Sequence, residues 1–268
     1  MNKKQVEIYN KIISKYNFNE KQKFQIGLGL QKNLKVSLYS KPNFSYEQMQ
    51  EIRLGLENNL DVSIYSNTKY SWRQMEQIRF CLYKNLDISW LNKGEFDLQQ
   101  IIEIVDGLTK NLNVKIYSKP EYNNEQMKQI KLGLINNLDV SIYANPKFNY
   151  YQMAQIRIGL EKSLDVSIYV NPKFDYNQME QIRLGLNKGL GVSLYASPEF
   201  DYEQMKQIKL GLINNLDVSI YSEPEFDENQ MREIRLGLEK NLDVSNYLNP
   251  TIEWEEMERI RLELESGK

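Results

Sequence analysis

Asp201–Phe226 reads DYEQMKQIKLGLINNLDVSIYSEPEF, and the rest of the chain is that stretch written repeatedly. In the same frame it begins at Asn19, Ser45, Ser71, Asp97, Asn123, Asn149, Asp175, Asp227 and Glu253, a period of 26 residues with neither insertion nor deletion. An unbroken period of that length marks a solenoid, in which each unit buries its apolar face against its neighbours. Within a repeat, column 1 is the position of Asp201 and column 26 that of Phe226.

Column 1 is Asn, Ser or Asp in nine repeats and column 4 is Gln in nine; the tenth has Glu at both. This is capping-box spacing, in which the first side chain accepts from the backbone three residues on and the Gln reaches back to the cap amide. Column 26 is Phe, Tyr or Ile and column 5 is nearly always Met, so Phe174 with Met179 and Phe200 with Met205 sit at the two ends of a hydrophobic staple. Columns 5, 8, 12 and 16, as in Met205, Ile208, Leu212 and Leu216, form one stripe at helical period. Asn, Gly or Ser at column 15 marks the exit, which predicts a helix over about columns 2 to 14.

Asp at column 17 (Asp61, Asp87, Asp139, Asp165, Asp217, Asp243) then reads as a second cap, followed by Val-Ser-Ile-Tyr and, three residues after the Tyr, Pro. A helix of one or two turns fits. The alternating, β-branched Leu-Asp-Val-Ser-Ile also fits a strand, as in leucine-rich repeats. The recurrent Tyr at column 21 favours the helix, which places it on the same side as the Val three residues earlier, and so does Asn246 at column 20, in what would be the centre of a strand's core face. The expected fold is an all-α, right-handed α-solenoid of ten repeats over 19–268, each a long and a short helix, preceded by an amphipathic capping helix in 1–18 with Val6, Tyr9, Ile12, Ile13 and Tyr16 on one face.

The 268 residues are 41% hydrophobic, with a net charge of −2, which gives no global basic field toward nucleic acid. The lysines that open the chain are followed by no apolar run long enough for a signal peptide or a membrane span, so the expectation is a cytoplasmic protein with no membrane partner. There is no histidine, which excludes Ser/His/Asp and Cys/His nucleophilic arrangements and His-containing metal sites. The single cysteine, Cys81, replaces the Gly of column 11 and reads as a small packed side chain. The recurring Leu-Gly-Leu lies inside a helix and is no phosphate loop. Carboxylates recur as caps or surface charges, so neither an enzyme nor a cofactor is expected.

Comparing repeats with one another separates scaffold from surface. On a helical wheel, columns 13, 6, 3 and 14 vary freely while the opposite arc stays nearly constant. Column 10 lies in the variable arc yet is apolar in nine repeats, with Phe80, Leu132, Ile158, Leu184 and Leu210 among them and Asp106 as the exception. Residues 71–122 are the least regular stretch, with Tyr83, Trp90, Ile102 and Lys115 beside Cys81. The candidate partner-binding set is therefore Phe80, Tyr83, Ile102, Asp106, Leu132, Ile158, Leu184 and Leu210, with packing between neighbouring long helices as the structural explanation for column 10. The basic column 9 (Arg53, Arg79, Lys131, Arg157, Arg183, Lys209, Arg235), near the aromatics of column 2, gives the alternative of an RNA or single-stranded DNA binder. The structural explanation for it is a ladder in which each Arg stacks on an aromatic and pairs with an Asp of column 17.

The unit Gln-Met-x-x-Ile-Arg-x-Gly-Leu…Leu-Asp-Val-Ser-x-Tyr-x-x-Pro-x-Phe, as in Gln152–Phe174, resembles tandem repeats of uncharacterised proteins of gut Firmicutes and their phages or conjugative elements. The resemblance spans nearly the whole chain and implies no site residues. It supplies no activity; the residues make the expected function a non-enzymatic scaffold for a protein partner, and the resemblance adds a host defence enzyme as a candidate target. Tyr143–Pro146 is also similar to the helix end of leucine-rich variant repeats, an analogy of fold alone.

Overall fold

A computed structural model describes residues 1–267, apart from the side chains of Asn92 and Lys93. Every regular element among them is helical. The chain divides into two compact units, Met1–Lys131 and Leu132–Lys268. The first holds the long helices Lys3–Lys15, Glu20–Gln31, Tyr46–Glu57, Trp72–Tyr83 and Leu98–Thr109; the second holds Tyr150–Glu161, Tyr176–Asn187, Tyr202–Ile213, Glu228–Glu239 and Trp254–Ser266. The division falls within the helix Asn124–Ile135. In each unit successive long helices pack on one another in chain order, the arrangement of a helical solenoid.

Each long helix starts where its cap directs. Asp175 Oδ1 accepts the Gln178 amide at 2.8 Å while Gln178 Oε1 accepts the Asp175 amide at 2.7 Å, and the helix Tyr176–Asn187 follows. The same Gln side chain also ties the two ends of its repeat together, its Nε2 donating to the carbonyl of Phe200 at 2.5 Å, just before the following cap. Glu253, whose carboxylate stands one methylene farther from the backbone than that of Asp, caps the last helix without a side-chain hydrogen bond.

The long helices of repeats one to nine each end in a Schellman turn. Asn215 takes φ +56°, its amide donates to the Leu212 carbonyl and the Leu216 amide to that of Gly211 at 3.0 Å. The Asp217 carboxylate then accepts the Ser219 amide at 3.1 Å and the Ser219 hydroxyl at 2.5 Å, and Val218–Ile220 forms one turn of 3-10 helix. The alternating segment is thus the short helix. Three residues per turn point Val218 and Tyr221 inward together, and both are buried.

Met, Ile, Val, Tyr and aromatic residues of columns 5, 8, 18, 21 and 26 make the core, as in Met205, Ile208, Val218, Tyr221 and Phe226. The Gly of column 11 makes room for this tyrosine: a Cβ at Gly211 would lie 2.1 Å from the Tyr221 hydroxyl, which donates to the Gln207 carbonyl at 3.5 Å.

The helix Lys3–Lys15 covers the first repeat with only part of the expected face. Tyr9, Ile12 and Ile13 are half-buried, while Val6 and Tyr16 are exposed. Its Gln5 Nε2 donates to the Leu30 carbonyl at 2.7 Å, satisfying a group at the end of the next helix.

Candidate functional site

The surface is best built from the groups that are not available to it. In the basic column, Arg53, Lys131, Arg183 and Lys209 are buried, and Arg79, Arg157 and Arg235 are half-buried. Their partners are neither the aromatics nor the column 17 aspartates expected for a ladder. Arg53 Nε donates to Gln25 Oε1 at 2.9 Å, Arg79 to Glu51 at 2.7 Å, Arg183 to Gln155 at 2.7 Å, Lys209 to Gln181 at 2.5 Å and Arg235 to Gln207 at 3.0 Å, each reaching column 7 one repeat back. Lys131 pairs with Glu103 at 2.6 Å and Asp106 at 2.5 Å. Where column 13 is Glu, the same Arg bonds it one turn on, as in Arg53–Glu57, Arg157–Glu161 and Arg235–Glu239. The aspartates of column 17 are occupied as caps of the short helices. Exposed cations lie over the aromatics instead: Lys21 Nζ is 4.5 Å from the Tyr46 ring centroid and the Arg73 guanidinium 5.2 Å from Trp72.

The acceptors around a buried cation decide its state. Burial pulls the Lys131 ammonium down, but its hydrogen bonds and charges from Asp106 and Glu103 outweigh that and leave its pKa raised. Lys209 is buried against the neutral Gln181 amide, and burial lowers its pKa. Such buried polar contacts contribute little net stability, and here they fix the register of one helix on the next.

The apolar candidates separate into two groups. Phe80, Leu132, Ile158, Leu184 and Leu210 are half-buried, so column 10 is no open stripe. Asp106 in the same column is half-buried and paired with Lys110 and Lys131. Tyr83 and Ile102 are open, Tyr83 with 58% of its surface exposed. The variable columns carry further exposed large side chains: Phe24 at 63% in the first unit, and Ile135 and Tyr151 in the second. Tyr151 stacks on Tyr176 with ring centroids 4.9 Å apart.

The irregular third repeat also changes inward. Its short helix runs over Ser89–Lys93 and turns Trp90 into the core, edge-on to Phe96 at 5.8 Å. Among the described residues the Trp90 indole N–H has no hydrogen-bond partner. Beside it Lys69, Tyr70, Gln74, Leu91 and Ile101 enclose a cavity of about 110 Å³.

Column 20 is the surface that sequence reasoning missed. It is apolar in eight of nine repeats, and in the second unit it stands outward on the short helices, with Ile142, Ile168 and Leu194 exposed. Its signal was the combination of near-constant apolar character with one Asn, which a fully buried position would not accept. Among the described residues no group of three or more His, Cys, Asp or Glu could hold a metal ion, and no helix is long and apolar enough to cross a membrane. No protein-family model, curated protein or solved structure matches the chain.

Proposed function

We propose that this protein is a non-enzymatic helical-repeat scaffold that holds a protein partner. The observation that carries this reading is where the repeats differ. Columns that vary project outward and bear large apolar side chains, such as Phe24, Tyr83 and Ile102, on a framework whose caps, core and polar ladder hardly change. Exposed apolar groups on a folded framework favour association with another protein. The nucleic-acid alternative needs free cations at a regular rise, whereas the column 9 side chains are spent on the ladder between helices. The resemblance to mobile-element repeats makes a host defence enzyme the first class of protein to try.

The test is retention from a bacterial lysate with the chain as bait, divided into nuclease-treated and untreated halves. A protein retained in both halves, and lost with Tyr83→Ser and Ile102→Ser, is the expected result. Retention that disappears with nuclease overturns the reading in favour of nucleic acid.

A further inference from the structure

Exposed positions of a repeat drift, but column 20 does not. Leu38, Ile64, Ile116, Ile142, Ile168, Leu194 and Ile220 are all aliphatic, and in the second unit Ile142, Ile168 and Leu194 of three successive repeats are 36%, 37% and 42% exposed. Folding does not demand them. In repeat nine the position is Asn246, exposed, yet the turn Val244–Asn246 forms, Val244 and Tyr247 stay buried, and the Tyr247 amide donates to the Val244 carbonyl at 3.0 Å as elsewhere.

The aliphatic row has an acidic border. Asp139 caps the short helix that carries Ile142, and Asp217 the one that carries Ile220. Between two short helices an open groove of about 490 Å³ is lined by Ile142 from one and by Leu164, Asp165, Val166 and Val170 from the next. Asp139, Asp165 and Asp217 are exposed. Each gives one oxygen to its Ser cap, at 3.0 to 3.1 Å from the amide in the related Asp61 and Asp165 turns, which leaves acceptor sites facing solvent. Over segments 139–147, 165–173, 191–199, 217–225 and 243–251, seven carboxylates stand against two lysines.

We propose that the short-helix edge of Leu132–Lys268 is a docking surface for a basic amphipathic helix of a protein partner. This rests on the scaffold reading and names the chemistry of the partner. Packed helices recur about 8 to 10 Å apart, and seven residues of an α-helix rise about 10.5 Å, so an apolar residue at every seventh position meets Ile142, Ile168 and Leu194 in turn. Lysines or arginines flanking the first two anchors face Asp139 and Asp165, column 17 being Gly191 beside Leu194, and this acidic border steers approach and rejects acidic helices.

The probes are three synthetic peptides of about 18 residues: a Leu/Lys amphipathic helix, its Leu/Glu counterpart, and a Ser/Lys peptide of equal charge, each titrated with the full-length chain by fluorescence anisotropy. The Leu/Lys peptide binds at least about tenfold more tightly than either other peptide, and its affinity falls with salt. The triple change Ile142→Asn, Ile168→Asn and Leu194→Asn, built on the example of Asn246, removes about tenfold of that affinity, as does Asp139→Asn with Asp165→Asn and Asp217→Asn, since Asn still caps. Glu180→Gln with Glu203→Gln and Glu258→Gln, on the long helices, leaves it unchanged. Circular dichroism checks that each variant is folded. Equal binding of Leu/Lys and Ser/Lys, or of Leu/Lys and Leu/Glu, overturns the proposal, as does no binding of any peptide or indifference to both short-helix variants. A lysate protein still retained by the Ile/Leu→Asn variant would sink this surface and leave the scaffold standing; failure to retain any protein would sink the scaffold instead.

Discussion

In repeat seven, Gly185 lies against Tyr195: a Cβ there would be 2.0 Å from the phenol oxygen and 2.8 Å from Val192 Cγ1, and the hydroxyl donates to the Gln181 carbonyl at 3.4 Å. In repeat three, Cys81 stands in the glycine's place, buried, and the tyrosine's place is taken by Leu91. The side chain that would collide with a Cβ is absent, so the thiol fits. Trp90, one position earlier, turns into the core, and the short helix is longer and displaced to Ser89–Lys93. The two repeats show that column 11 and column 21 are one choice. The glycine is there because its own repeat's tyrosine fills the space.

The largest test of that comparison is alkaline. Burial raises the phenol pKa of Tyr39, Tyr65, Tyr117, Tyr143, Tyr169, Tyr195 and Tyr221, and pushes Tyr247 up to about 12. An unfolded tyrosine loses its proton near pH 10. Above that the unfolded chain holds fewer protons than the folded one, so stability is complete below about pH 10 and declines as pH rises toward the folded values. Tyrosinate absorbance and helicity followed together should show the column 21 phenols ionising as the helices are lost. Ionisation of those eight with helicity intact would mean that their burial is not what holds the short helices.

Next in size is Gly185→Cys, which should destabilise by about 2 to 3 kcal/mol through overpacking. Adding Tyr195→Leu should recover at least about 1 kcal/mol of it, a coupling measurable by a double-mutant cycle in urea. Additive losses would break the pairing inferred from repeat three. A smaller effect separates Gln178→Leu from Gln74→Leu. Gln178 Nε2 donates to the Phe200 carbonyl at 2.5 Å and to that of Pro198 at 3.4 Å, whereas among the described residues Gln74 Nε2 donates to Phe96 alone, at 2.9 Å. Loss of cap and bridge should cost about 2 kcal/mol at Gln178 and about 1 kcal/mol at Gln74. Amide exchange in the following helix would report the difference.

The long helices were legible because their instructions are local. Asp175 and Gln178 lie three residues apart, and the Asn of column 15 marks its own turn. The short helix was less so, since Asp-Val-Ser-Ile alternates, and its decision came from Tyr221 reaching Gln207, a contact that no single repeat of period 3.6 or 2 displays. The ladder was misassigned for a related reason. Arg53 and Gln25 are separated by 28 residues, one repeat plus two, and wheel geometry within one helix sees only the column, not its partner across the gap. The exposed row of Ile142, Ile168 and Leu194 was hidden by its own composition, because aliphatic constancy usually signals a core.

The bonds between neighbouring helices span fixed separations: 22 residues from Gln178 to Phe200, 25 from Lys32 to Glu57, 28 from Arg183 to Gln155. What they enforce is phase. Excising one whole repeat of 26 residues brings a Gln, an Arg and a cap of the same kinds to the same offsets, while excising 25 misplaces all of them. A gene for such a chain can therefore lose or gain units by recombination between its own repeats and still encode a folded product.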